Sequence, residues 1–312
     1  MKRYVPIIVV FGILLATGLY VVNKKNQAIH RQQKITIHER YIGEFNRQHK
    51  CSKPPQFLSR MNIPQPVMID LSQKRFKGIA LLYGKNFKKV LHPKQWEQYE
   101  HFGTYTMDEK GNIYLIPTPF ISIRPTTFNL QKNIYKLNSK TGKLSIFMHF
   151  EKIVPSATNP YGLNAITYDC DSHTLWAAAI DKSDYSSQKG VIYHIDPRNK
   201  KILQEIKGVD VLSMVLVKTS RGKFLLIGSA RDNGLYAYPV IEDRLALKPI
   251  KLLTLSDPNE HIRKIKISGK NKFELQSIPF AYALIAQSDR TDRIYYRANW
   301  NKEKEQWEIE KI

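Results

Sequence analysis

The sequence predicts an all-β fold of repeated four-stranded units behind one N-terminal transmembrane helix, and three observations predict it. A strand pattern recurs along the chain: Asn133-Ile134-Tyr135-Lys136-Leu137 returns as Val191-Ile192-Tyr193-His194-Ile195, Gly234-Leu235-Tyr236-Ala237-Tyr238 and Arg293-Ile294-Tyr295-Tyr296. The runs are short, β-rich and joined by polar turns such as Ser139-Lys140-Thr141-Gly142-Lys143. An apolar run from Tyr4 to Val22 precedes them and differs from everything after it. Repeats at this scale are stacked supersecondary units. Units made of strands stack radially, so a β-propeller accounts for the pattern better than a helical solenoid or a single sandwich.

The N-terminal element starts after Met1-Lys2-Arg3, is interrupted only by Pro6, Gly12, Thr17 and Gly18, and closes at Asn23-Lys24-Lys25. At about 1.5 Å per helical residue it is long enough to cross a bilayer core. Ala16-Thr17-Gly18 makes a poor cleavage site, and apolar character continues through Val22, so residues 1–25 read as an uncleaved signal anchor. Residues 26–62 read as a polar, basic stalk, helical from Ala28 to Phe45 and ended before Pro54-Pro55.

Residues 1–60 carry eleven Lys or Arg against only Glu39 and Glu44. Such a stretch beside a span is drawn to anionic headgroups, so the bilayer is the expected partner of the helix and its basic flanks. Basic residues lie on both sides of the span, and a bare count would keep the C-terminal side in the cytoplasm. Long domains translocate regardless of charge, however, and a lone span ahead of an all-β domain suits an export anchor. The expectation is a single-pass membrane protein with an exported, periplasmic or extracellular, propeller. Cys51 and Cys170 stand in contexts that give no reason to pair, and two free thiols are expected.

The propeller is assigned to residues 63–312. Val67-Met68-Ile69-Asp70 completes a first blade whose outer hairpin runs from Ile79 to Leu91 around Gly84-Lys85-Asn86. Inner hairpins follow at Gly103–Ile116, Asn164–Ala178 and Ser213–Ile227, each with Asp, Ser or Gly in its turn and each succeeded by an outer hairpin of the Ile-Tyr kind. The last outer hairpin runs from Ile294 to Ile309. Five outer hairpins give five blades. A sixth stays open because Ile262 to Leu275 forms its own hairpin ahead of a strand-like run from Phe280 to Ile285. Tyr105, Tyr114, Tyr135, Trp176, Tyr193 and Tyr236 recur at blade positions and read as packing between blades.

Tyr161-Gly162-Leu163-Asn164-Ala165-Ile166-Thr167-Tyr168-Asp169, Thr174-Leu175-Trp176-Ala177-Ala178 and Gly190-Val191-Ile192-Tyr193-His194-Ile195-Asp196-Pro197 resemble a blade of the gluconolactonase-like, strictosidine synthase-like and NHL-repeat propellers. The resemblance implies the fold. Blade motifs do not specify an activity.

In a propeller the hairpin turns lie on one face, and the longer connections ring the channel on the other. Those connections carry the candidate site: Asp181, Asp184, Asp232 and Asp289 supply carboxylates, Arg124, Arg231 and Arg290 supply cations, and Asn159, Asn164 and Asn233 supply amides. Such a set would suit an anionic or hydroxylated ligand. Carboxylates with Asn carbonyls would also suit calcium, as the lactonase resemblance implies, although this chain does not match that set residue by residue. The competing reading is that these Asp and Arg residues pair and cap turns.

No cofactor is required by any motif. The nine His residues show no zinc spacing, Gly228-Ser229-Ala230 is not a nucleophile elbow, and no phosphate-cradling glycine loop occurs. The net charge is +22, but the lysines look dispersed rather than interleaved with stacking aromatics, so nucleic acid is not an expected partner. The sequence therefore favours a membrane-anchored propeller that binds a protein, envelope or small-molecule ligand. A hydrolase of lactonase or glycosidase type is the alternative, with Asp181, Asp232 or Asp289 as metal ligand or acid/base.

Overall fold

The computed structural model describes residues 40–71, 76–99, 101–119, 128–283 and 293–312. Five antiparallel sheets follow one another in chain order, each built from sequence neighbours. Blade 1 holds β1 (Met68–Asp70), β2 (Ala80–Tyr83) and β3 (Lys89–Leu91), three strands among the described residues. Blade 2 holds β4 (Phe102–Met107), β5 (Ile113–Pro117), β6 (Asn133–Leu137) and β7 (Leu144–His149). Blade 3 holds β8 (Leu163–Asp169), β9 (Thr174–Ala179), β10 (Val191–Asp196) and β11 (Lys201–Lys207). In blade 4, β12 (Val211–Thr219), β13 (Gly222–Ser229) and β14 (Gly234–Ile241) are followed by β15 (Arg244–Leu245) and β16 (Ile250–Thr254), which share the outer edge of β14. Blade 5 holds β17 (Glu260–Gly269), β18 (Lys272–Pro279), β19 (Ile294–Asn301) and β20 (Gln306–Lys311).

The fold is thus an all-β, five-bladed propeller. The hairpin from Ile262 to Leu275 is the inner pair of blade 5, which rules out a sixth blade, and Phe280 to Ala283 is a connection rather than a strand. The innermost strands β4, β8, β12 and β17 pack successively around the centre. Successive blades bury their facing residues between them: Trp176, Ile192 and Val211 pack with Leu216 and Leu225, and Tyr114, Ile134 and Phe147 pack with Ile166 and Leu175. Tyr114, Tyr135, Trp176 and Tyr193 are buried in this way, whereas Tyr105 is 39% exposed.

Asx residues begin the hairpin turns. Asp108, Asn138, Asp169, Asp196 and Asn301 each accept main-chain N–H bonds from residues two to four positions on, the local chemistry that lets a chain reverse between strands.

The compact unit begins at Tyr41, so residues 41–62, expected as stalk, belong to the propeller. The described end of the expected stalk helix, residues 40–45, is irregular rather than helical. This segment crosses the hairpin-turn face as a strap. Glu44 and Ser220 exchange bonds in blade 4, with Glu44 N donating to Ser220 Oγ at 2.8 Å and Ser220 N to Glu44 O at 2.9 Å. Phe45 and Asn271 do the same in blade 5 at 3.0 and 2.9 Å. Cys51 is bonded to Cys170 in the inner turn of blade 3, so the expected free thiols are instead a disulfide. Gln56 N and Phe57 N then donate to Ser139 in blade 2, and helix α1 (Gln56–Arg60) seats Phe57 and Leu58 in the core shared by blades 1 and 2. Spacing could not reveal this pairing, because the two cysteines are 119 residues apart and meet only once the strap lies across blade 3.

Two glycines allow the close approach. Gly43 (φ +96°) would place a Cβ 2.8 Å from Arg221 N, and Gly111 (φ +80°) would place one 2.8 Å from Pro54 O. Among the described residues no helix is long and apolar enough to cross a membrane; the expected span, Tyr4 to Val22, lies outside the described residues.

Candidate functional site

The loop face carries a cleft of about 500 Å³ lined by Tyr185, Arg231, Asn259, His261, Phe280 and Tyr282, with Ala230, Pro258 and Pro279. It lies where the long connections of blades 3, 4 and 5 meet. Arg231 is presented by a tight turn: Ser229 Oγ accepts from Arg231 N at 3.0 Å and Asp232 N at 3.1 Å as β13 ends. Its guanidinium donates to the main-chain carbonyl oxygens of Asp184 and of Tyr185, the latter at 2.6 Å. Carbonyls orient the fork without neutralising it, so the cleft keeps a net positive charge.

Tyr282 is fixed from beneath. Its hydroxyl donates to Asp210 Oδ2 at 2.6 Å, while Asp210 Oδ1 accepts from Ser183 Oγ at 2.5 Å and Gly190 N at 2.8 Å. Burial, with the Asp210 carboxylate beside it, pushes the Tyr282 phenol well above its usual range. Asp210, 1% exposed, therefore ties the blade 3 and blade 5 connections to the start of blade 4. Tyr282 meets Phe280 edge-on at 5.3 Å and Tyr185 at 5.6 Å, and Phe280 continues the aromatic wall to Tyr161 at 5.3 Å.

His261 stands at the side of this wall, edge-on to Phe280 at 5.7 Å. Burial lowers its pKa, and main-chain carbonyls of Ser229 and Asp232 partly offset that, so the ring is neutral near pH 7. Its Nδ1 is buried and has no hydrogen-bond partner among the described residues.

Below the mouth, each of the four innermost strands β4, β8, β12 and β17 carries a bulge, at Gly103, Asn164, Leu212 and Arg263. Arg263 Nη1 donates to Leu212 O at 3.0 Å, and Nη2 would be 3.1 Å from a Cβ placed on Gly103. One guanidinium from blade 5 therefore reaches inner strands of blades 4 and 2 and crosses the channel. Burial pulls its pKa down, and among the described residues no carboxylate pairs with it.

The residues expected to form the site are distributed differently. Arg124, Asp289 and Arg290 lie outside the described residues. Of the other seven only Arg231 lines the cleft. Asn159 donates to Ile180 O and Ser183 O at 2.6 and 2.8 Å, and Asn233 to Leu255 O and Asp257 O at 2.7 and 3.1 Å. Asn164 donates across to Val211 O at 3.0 Å. These three amides hold neighbouring connections together. Asp184 caps its own loop; the Ser186 hydroxyl and the amides of Ser187 and Ser186 hold its carboxyl far below the usual range. Asp181 accepts from Val154 N at 2.9 Å, and burial pushes its carboxyl up. For Asp232, burial pushes up, but the Tyr236 hydroxyl at 2.5 Å, the Gly234 amide and Lys251 outweigh it and leave the carboxyl low.

The acid and amide set expected to suit calcium does not converge among the described residues. The one described group with metal-ligand spacing, His49, Asp169 and Asp171, lies on the opposite face beside the disulfide. There Lys223 sits 2.6 Å from Asp169 and Lys218 sits 2.7 Å from Asp171, so ammonium groups already balance the carboxylates. His261, Arg263, Asp210, Asn259 and the rings Tyr185, Phe280 and Tyr282 escaped sequence reasoning. The one signal that could have pointed to them is the Pro258–His261 and Pro279–Tyr282 runs, each a proline-started connection bearing ring side chains on either side of one hairpin.

A five-bladed propeller with a cationic, aromatic cleft on its loop face is the class that fold and site define. The chain is similar in structure to a glucose dehydrogenase (15% identity, TM-score 0.41, covering 72% of this chain and 76% of that one). It is similar also to the PQQ-bound aldose sugar dehydrogenase from Streptomyces coelicolor (10%, 0.27, 80% and 100%) and to oligogalacturonate lyase from Vibrio parahaemolyticus (10%, 0.36, 75% and 60%). These likenesses concern the fold alone. No protein-family profile and no curated protein sequence matches the chain.

Proposed function

We propose that this chain is a membrane-anchored, exported propeller that binds an anionic, ring-bearing ligand of the cell envelope in the loop-face cleft. The observation that carries the reading is the cleft lining. It holds Arg231, His261, Asn259 and three aromatic rings, and no carboxylate. A guanidinium held by carbonyls attracts a carboxylate or phosphate, ring faces take a flat or sugar-like body, and Asn259 supplies a hydrogen-bonding edge. The Cys51–Cys170 disulfide supports the exported location, since such bonds persist in oxidising compartments.

The test is a thermal-shift panel on the full chain in detergent, comparing uronates and aromatic carboxylates with their neutral amides. An anionic probe should raise Tm, and Arg231→Ala should abolish that shift. Neutral analogues that bind as well as the anions would overturn the reading.

One observation favours an enzymatic alternative. A neutral His261 lines the cleft, and an imidazole uncharged near pH 7 is the kind of group a general base requires. Turnover of a bound anionic probe that is lost in His261→Gln while binding persists would move the assignment from binding protein to enzyme.

A further inference from the structure

The lysines that look dispersed in the sequence are gathered by the fold. Lys110 stands in the β4–β5 turn, Lys140 and Lys143 in the β6–β7 turn and Lys200 in the β10–β11 turn, all exposed on the hairpin-turn side of blades 2 and 3. The strap brings Lys53 against the same place, because its carbonyl lies 3.0 Å from the Cβ position of Gly111. Lys136 and Lys200 converge on one ring, with ammonium groups 5.7 and 5.5 Å from the centre of Phe147, and Lys136 also lies 5.4 Å from that of Tyr114.

The carboxylates nearby are committed. Asp108 accepts from Lys110 N, Asn112 N, Asn112 Nδ2 and Tyr114 Oη, and Glu109 takes the Tyr168 hydroxyl and pairs with His173 at 3.5 Å. None of the six lysines has an ion-pair partner among the described residues. Burial depresses the pKa of Lys136; the Asp108 carboxylate opposes this, and repulsion from Lys110 and Lys200 adds to it.

The same face is where the chain enters the propeller. Tyr41, where the compact unit begins, stacks on Trp300 at 4.8 Å beside the outer turn of blade 5. We propose that the turn face of blades 2 and 3 docks on an anionic lipid surface through Lys53, Lys110, Lys136, Lys140, Lys143 and Lys200, leaving the loop-face cleft pointing away from the bilayer. This rests in part on the anchor assigned above. Lysine ammoniums held apart by aromatic rings suit a plane of phosphate headgroups, each exposed cation strengthening attachment roughly fivefold.

The test is lysine acetylation of the full chain in nanodiscs, read residue by residue by mass spectrometry. With 30% anionic lipid, Lys110, Lys140, Lys143 and Lys200 should react several-fold more slowly than in neutral lipid. Lys182 and Lys189 of the loop face should react alike in both. The variant K110Q/K140Q/K200Q should lose on the order of a hundredfold in the docking equilibrium, read as return of Lys143 to its neutral-lipid rate. K110R/K140R/K200R should keep the protection. Equal reactivity in both lipids, protection of Lys182 and Lys189 as well, or protection abolished by millimolar inorganic phosphate or by a single-stranded oligonucleotide would each overturn it.

Resistance to carbonate extraction reads the anchor separately. A chain extracted by carbonate that still shows the lipid-dependent footprint on vesicles refutes the anchor and keeps the docking face.

Discussion

The two faces of this propeller are built from the same repeat and use their polar residues in opposite ways. On the turn face a single segment, residues 41–58, is bonded in turn to blades 4, 5, 3 and 2 by reciprocal main-chain and side-chain bonds and by a disulfide. Among the described residues every blade is built from its own strands, and the strap fastens blades to one another across the turn face. On the loop face the described connections are held by local caps, amide bridges between neighbours and the buried Asp210, and a cleft remains where three of them meet. Rigidity on one side leaves the other free to carry a site, as expected of loops on a closed scaffold. The difference predicts that substitutions on the strap cost stability, whereas those in the cleft cost binding.

The largest effect should come from the disulfide. Cross-linking positions 119 residues apart restricts the unfolded chain over a long loop, worth at most about 4–5 kcal/mol. Cys51→Ser with Cys170→Ser should therefore lower the unfolding midpoint in urea markedly while leaving the affinity for a cleft probe within twofold. If the paired substitution abolished probe binding in chain that remains folded, the faces would not be independent.

Next in size is Phe45→Ala. Phe45 stacks on Phe273 at 4.9 Å and packs near Trp307 at 6.2 Å, filling a core that blades 4 and 5 share. Truncating a buried phenylalanine costs about 3–4 kcal/mol. Hydrogen exchange should show the loss first in the turns bearing Ser220 and Asn271, and an unchanged exchange pattern there would mean that the strap fastens nothing.

What was legible in the sequence follows the same division. Blades are local objects, and alternating runs such as Leu163–Asp169 with Asx turns specify their own hairpins, so their order could be read and their number narrowed to five or six. The strap is non-local: Gly43, Phe45 and Cys51 gain meaning only beside Arg221, Phe273 and Cys170, which are more than a hundred residues away. The cleft failed for another reason. Asp184, Asp232 and Asn233 look like ligands because loop acids and amides serve either as ligands or as caps, and one residue's sequence context does not separate the two. Tyr282 looked like a strand residue and His261 carried no signal, and only the packing of three blades brings them to one opening.

A third prediction concerns a residue of neither face. His194 is buried in blade 3, stacked on Trp176 at 3.9 Å with Nε2 2.7 Å from Thr174 Oγ1. Burial holds its pKa down at about 4, with Asp169 and Asp243 opposing that weakly. The unfolded chain takes up this proton near pH 6.5, whereas the fold resists until about pH 4. The contribution is complete above pH 6.5 and is lost as pH falls through that window, amounting to about 3 kcal/mol. His194→Gln should flatten the slope of stability between these limits. The slope should be the same with and without the disulfide, because His194 touches no part of the strap; a coupled change would join blade core and strap into one cooperative unit.

The smallest expected effect on stability sharpens the comparison most. Arg231 lines the cleft, is half-buried, donates to carbonyls of the Asp184–Tyr185 segment and lies beside the Tyr282 hydroxyl. Replacing it by alanine leaves no buried carboxylate unpaired, because Asp232 keeps Tyr236, Gly234 and Lys251, and Asp210 keeps Ser183, Gly190 and Tyr282. The change in unfolding free energy should be about 1 kcal/mol, the net worth of the Arg231 bonds to main-chain carbonyls. Affinity for an anionic probe should fall by one to two orders of magnitude, since a charge-assisted bond in a partly desolvated cleft is worth about 1.5–3 kcal/mol. Arg231→Lys should recover only part of that affinity, because an ammonium keeps the charge and loses the planar fork. Full recovery would show that the cleft recognises charge alone, and no loss in the alanine variant would place the ligand elsewhere on the loop face, toward Arg263 and the channel.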